Sequence, residues 1–145
     1  MTKLKTKKTN TLPANDLTPI RKKVLHIIRG YNRPIGAYAL LDEYKKDHPN
    51  AAPPTIYRAL EYLMDQHLIH KIEKLNAYVA CGHDHNHGNH TEAVQILVCT
   101  KCGKTRETDA TELNKSTAKL AKKLGFVVEQ SILEVIGHCK NCQSS

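Results

Sequence analysis

The chain has 145 residues, 40% of them hydrophobic, and carries a formal charge of +8 from 22 Lys and Arg against 14 Asp and Glu. That length holds one average domain or two small ones, the latter marginal without a staple, and the positive balance points to a polyanionic partner. No window approaches the apolar length of a membrane span, and no apolar run follows the Lys-rich start as it would in a signal peptide. Five cysteines in such a chain imply reduced thiols in the cytoplasm.

Residues 1–15 carry Lys3, Lys5, Lys7 and Lys8 among Thr and Asn, with no apolar periodicity. They read as a basic flexible tail, either solvated or touching phosphates. Thr18-Pro19 starts a helix, with a capping hydroxyl before a first-turn proline. Leu17, Ile20, Val24, Ile27 and Ile28 recur on one face, and Gly30 ends the helix. A second helix begins near Gly36 and breaks at His48-Pro49-Asn50. Ala37, Leu40, Leu41 and Tyr44 face inward, with Tyr38, Asp42 and Lys45 opposite. Pro53-Pro54-Thr55 opens a third helix, whose core face is Ile56, Ala59, Leu60, Leu63 and Met64. Its other face holds Thr55, Arg58 and Glu61, flanked by Tyr57. Residues 68–73 and 77–81 then read as two strands of a hairpin. Three helices followed by a hairpin make a winged helix-turn-helix over residues 16–81. Its third helix is suited to insert its N-terminal half, with Arg58, into the DNA major groove.

Residues 82–92 are polar and contain His83, His85, His87 and His90, as a hinge or loop at a domain junction would. From Val94 the pattern changes. Residues 94–98 and 104–108 read as strands. Residues 111–124 form an amphipathic helix with Leu113, Leu120, Ala121 and Leu124 inward, stopped by Gly125. Residues 126–128 and 132–136 are strand-like. The whole is α+β: the winged helix plus a small α/β C-terminal domain over 93–145, whose open sheet edge is a route to a homodimer.

Two C-x-x-C pairs bracket that second domain, Cys99 with Cys102 and Cys139 with Cys142. Four thiolates complete a tetrahedral Zn²⁺ shell, and Gly103 permits the tight turn that aims backbone N–H groups at the sulfurs. A redox pair would use one C-x-x-C, and paired disulfides would need an oxidising compartment. A closed Cys₄ shell leaves no open position for a catalytic water, so the chain does not read as an enzyme. Cys81 is left over.

Leu17-Thr18-Pro19-x-Arg21, Pro54-Thr55-Ile56-Tyr57-Arg58-Ala59-Leu60 and the two C-x-x-C pairs together resemble the ferric uptake regulator family, across about residues 17–142. Ile69-His70-Lys71-Ile72-Glu73, Tyr78-Val79-Ala80-Cys81 and Ala37-Tyr38 look most like its zinc uptake regulator branch. The resemblance implies a dimeric, metal-responsive transcriptional repressor that binds double-stranded DNA carrying an inverted repeat. It adds Thr55 and Tyr57 to the DNA face beside Arg58, and Tyr38 as a base contact. It also implies a second, regulatory zinc between the domains, held by His70, Cys81, His90 and Glu107. The stretch from Cys81 to Cys99 is longer than the family pattern, so His83, His85 and His87 compete with His90 as the loop ligand. The chain lacks the His-His-Asp-His run of the iron-sensing branch, and only the Lys-rich segment stands where family members place a helix before Leu17.

A Cys/His/His/Glu set suits Zn²⁺ better than hard cations, and its two anionic donors lower the cost of placing the ion in a cleft. The expected function is a zinc-responsive repressor of zinc uptake genes. The alternative within the family is an iron-, manganese- or peroxide-responsive sensor. A zinc buffer built on the histidine loop would have no use for the Thr55–Arg58 helix.

Overall fold

The computed structural model describes residues 17–31, 33–82 and 94–144. The Lys-rich tail and the histidine loop, His90 included, lie outside them.

Three helices open the fold: α1 (Pro19–Gly30), α2 (Ala37–Lys45) and α3 (Pro53–Asp65). The Thr18 hydroxyl accepts a hydrogen bond from the Arg21 N–H, and Pro19 fills the first turn, where its missing donor costs nothing. Val24, Leu25 and Ile28 of α1, Leu40, Leu41 and Tyr44 of α2, and Ile56, Ala59, Leu60 and Leu63 of α3 meet in one buried core. The apolar stripe of α1 is rotated from the expected one. Leu25 is buried and Ile20 is 40% exposed, because the packing of α2 and α3 sets the angle of α1.

The hairpin is β1 (Ile69–Ile72) and β2 (Ala77–Ala80), antiparallel, with His70 opposite Val79. A 3₁₀ turn at Glu73–Leu75 joins them and closes on Asn76 in the left-handed region (φ 46°), which asparagine tolerates. Ile35, between α1 and α2, exchanges both backbone hydrogen bonds with Tyr78 and lays a third extended segment beside the wing.

A second sheet has the order β4-β3-β5, from β3 (Val94–Cys99), β4 (Thr105–Thr108) and β5 (Ile132–Gly137). β3 pairs antiparallel with β4 and parallel with β5, the chain crossing over through α4 (Thr111–Leu124). α4 ends in a Schellman turn: Gly125 takes φ 65°, and the Phe126 N–H reaches back to the Ala121 carbonyl at 2.8 Å.

Two expectations fail here. Residues 126–128 are not a strand: the Phe126 N–H caps α4, and Phe126 and Val127 are 69% and 83% exposed. Leu120 and Leu124, expected inward, are 58% and 70% exposed, and only Ala121 of α4 is buried. The sheet is too small to cover that helix face. With Ile132, Leu133, Val135 and Ile136 also exposed, this half of the chain presents a broad apolar surface.

The halves meet through Ile72, which is fully buried against Ile96 and Val98 of β3, with Leu75, Val79 and Val94 around them.

Candidate metal centres and nucleic-acid face

The parallel pairing of β3 with β5 delivers the first cysteine cluster. Cys99 stands opposite Gly137 at the shared strand ends, so Cys139 emerges beside it. The turn after Cys99 closes with a hydrogen bond from the Gly103 N–H to the Cys99 carbonyl (2.9 Å), Gly103 taking φ 72°. A single turn, α5 (Lys140–Gln143), brings Cys142 back. The four sulfurs all lie within 4.8 Å of one another, and Cys102 Sγ and Cys139 Sγ are 3.7 Å apart. A tetrahedral ion with bonds of about 2.3 Å to sulfur spaces its ligands by about 3.8 Å, so the cluster has the right size for Zn²⁺.

The acid–base chemistry of these thiols is split. The Cys139 N–H, 3.3 Å from Cys99 Sγ, together with the Cys102 N–H, lowers the Cys99 thiol to about 6. Cys142 is pushed up to about 12, first by its hydrogen bond with the Cys139 thiol, then by burial and the other sulfurs. Four sulfurs this close do not all ionise alone; a bound dication removes that repulsion.

The second group joins the two halves. His70 is buried in β1, Cys81 follows β2, and Glu107 sits on β4 opposite Ile96. One donor atom of each lies within 4.8 Å of the others. Local backbone bonds set the positions: the Cys81 N–H donates to the Leu68 carbonyl, continuing the hairpin, and the Gly82 N–H donates to Glu107 Oε2 at 2.9 Å. An imidazole, a thiolate and a carboxylate are three of the four donors a mixed tetrahedral zinc site uses. The set fits that ion with one position left for a further ligand. The four loop histidines named for it fall outside the described residues.

The residues expected to face DNA lie on α2 and α3. Tyr57 and Arg58 are exposed at the N-terminal half of α3, Thr55 is partly buried beside them, and Tyr38 on α2 is 71% exposed. One brace escaped the sequence reading: the Arg21 guanidinium of α1 lies 3.4 Å from the Tyr62 ring centroid, tying α1 to the back of α3. Its only sequence trace is an Arg and a Tyr on helices already predicted to pack.

The model of the ferric uptake regulator family matches residues 15–136. The zinc uptake regulation protein of Escherichia coli K12 is 38% identical over 126 residues, covering 87% of this chain and 72% of that protein. The protein of the same name from Mycobacterium tuberculosis is 30% identical over 112 residues, 74% of this chain and 79% of that one. A solved zinc uptake regulator complexed with zinc and DNA superposes with a TM-score of 0.79 at 35% identity, over 88% of this chain and 83% of that structure. By motif, fold and extended similarity, the chain belongs to the ferric uptake regulator family.

Proposed function

We propose that this chain is a zinc-responsive transcriptional repressor that binds inverted-repeat DNA as a homodimer in the cytoplasm and controls zinc uptake genes. The observation that carries the reading is the gathering of His70, Cys81 and Glu107 from the two sides of the 82–92 connection. Zinc, when bound, supplies a tetrahedral cross-link between thiolate, imidazole and carboxylate donors. Residues 16–81 form the DNA-reading unit, and residues 93–145 form the dimerisation unit. His70 and Cys81 belong to the first and Glu107 to the second, with His90, or His83, His85 or His87, completing the set. Bringing these donors together fixes the angle between reading head and dimer platform, so the two heads match successive half-sites. DNA then tightens zinc by the factor by which zinc tightens DNA.

Cys99, Cys102, Cys139 and Cys142 hold a separate structural zinc that staples the ends of β3 and β5. The exposed apolar surface of α4 and β5 supports burial against a second copy. Tyr38, Thr55, Tyr57 and Arg58 face the DNA, with Arg58 donating two hydrogen bonds to a purine edge. The similarity to a zinc uptake regulator solved with zinc and DNA supports the same assignment. The iron-, manganese- or peroxide-sensing alternative is disfavoured by the Cys81 thiolate, a soft donor in the regulatory set. No described helix is long and apolar enough to cross a membrane. Binding of the purified dimer to an inverted-repeat duplex, titrated with buffered Zn²⁺, Fe²⁺ and Mn²⁺, tests the reading. Zinc should drive binding at the lowest free concentration; equal or stronger response to iron or manganese would favour the alternative.

A further inference from the structure

The contact between the two halves has a second anchor, at the opposite end of the wing from His70 and Cys81. Glu134 lies in the middle of β5, in register with Ile96, and is partly buried. Its carboxylate reaches the tip of the hairpin. Oε1 accepts from the Glu73 N–H at 2.6 Å, and Oε2 faces the Lys74 N–H at 3.4 Å. These are the first N–H groups of the 3₁₀ turn that begins at Glu73. Such groups have no partner within their own turn, and here the partner is supplied from about 60 residues away. A carboxylate on backbone donors is a charge-assisted pair, roughly twice as strong as a neutral one. Ile72, next to the turn, is fully buried against Ile96 and Val98, so apolar contact shields this end of the interface.

We propose that Glu134 is a positioning residue: a clasp on the wing tip that needs no metal and sets how much zinc the regulatory site requires. The inference rests on the sensor reading above and adds its regulation. His70 and Cys81 sit at the base of the hairpin, and Glu73, just past the end of β1, is three residues on from His70, about 10 Å at strand rise. A ligand cluster at the base sets the angle from one end of the hairpin, and a tie at the tip holds the same angle from the other end. The clasp forms only when the halves are docked. It therefore stabilises the docked population before zinc arrives, and raises the apparent zinc affinity by the same factor.

The test uses the full-length dimer and an inverted-repeat duplex selected with the wild-type protein, in zinc-buffered solution. Glu134→Ala removes the acceptor. Glu73→Pro removes the stronger donor from the other half, at a turn start that accepts proline, after an Ile72 already extended (φ −93°, ψ 103°). Each should raise the free zinc giving half-maximal DNA binding about tenfold, the loss expected for a hydrogen bond to a charged group. The double variant should be no worse than Glu134→Ala alone, because that substitution already removes the acceptor the Glu73 N–H uses. Dimer mass, the Cys₄ zinc and DNA affinity at saturating zinc should stay near wild type, which a merely structural role does not predict. Midpoints within twofold of wild type, or additive effects in the double variant, would overturn the clasp while leaving the sensor standing. A wild-type protein whose DNA binding ignores zinc would overturn the sensor, and the clasp with it.

Discussion

Replacing Cys102 with serine removes one corner of the sulfur cluster, and the structure indicates how much then goes with it. Beyond Val94 the buried hydrophobic side chains are Ile96, Val98, Cys99, Ala110 and Ala121. Burial of Ile96 and Val98 contributes about 1.5–3 kcal/mol each, and Ile96 and Val98 also face Ile72 of the other half. A structural zinc contributes about 10–16 kcal/mol, several times more than that core. The first half differs, with three helices and the hairpin around a continuous apolar core from Leu17 to Tyr78. Cys102→Ser should therefore unfold the C-terminal half and abolish the dimer at any zinc concentration, while the N-terminal half keeps its own cooperative transition. Light scattering after size exclusion, zinc content per chain, and melting followed by circular dichroism report the three consequences. A soluble, dimeric Cys102→Ser protein with wild-type melting would show that the sulfur cluster does not hold this half together.

Other expectations follow from single contacts. Arg58→Ala should cost about 1–3 kcal/mol of operator affinity and flatten base preference at one position, read by binding to a panel of point-substituted duplexes; undiminished preference would remove Arg58 from base readout. Gly125→Ala should destabilise the chain by about 1 kcal/mol through its φ of 65° alone, since a Cβ there has nothing within 4 Å to strike, and chemical denaturation measures it. Loading zinc into the Cys₄ cluster at pH 7.5 should release fewer than four protons per ion, because Cys99, lowered to about 6, is already largely thiolate while Cys142, up at about 12, must surrender its proton. Calorimetry in buffers of different ionisation enthalpy counts them. The same competition makes the site lose zinc as pH falls.

Much of the fold was readable because it is written in local periods. The three helices, their breaks, the hairpin and the β3–β4–α4–β5 order follow from caps, glycines and apolar spacing. The four cysteines meet because C-x-x-C pairs closing parallel neighbouring strands have few other places to go. What was not readable depends on packing at a distance. Helical spacing fixes that α1 has an apolar stripe, but whether Ile20 or Leu25 faces inward depends on how α2 and α3 lean on it. Leu120, Leu124, Phe126 and Val127 carry a core-like pattern, yet lie exposed on one chain: a sequence marks what must be buried, not which molecule buries it. The Ile35–Tyr78 bridge, the Arg21–Tyr62 stack and the reach of Glu134 to the hairpin tip join residues with no motif between them. His70, Cys81 and Glu107 were grouped through family resemblance; nothing in their spacing alone places a β4 carboxylate against a wing histidine.

The decisive question is whether zinc is sensed at the site of His70, Cys81 and Glu107. The most direct measurement is DNA binding as a function of buffered free zinc, for wild type, Cys81→Ser and Glu107→Ala side by side, with metal content and dimer mass measured on the same samples. Both variants should keep one zinc per chain in the Cys₄ cluster and remain dimers, yet lose zinc-dependent binding to the operator. Variants that still bind operator with the wild-type zinc response would contradict this and move the sensor elsewhere.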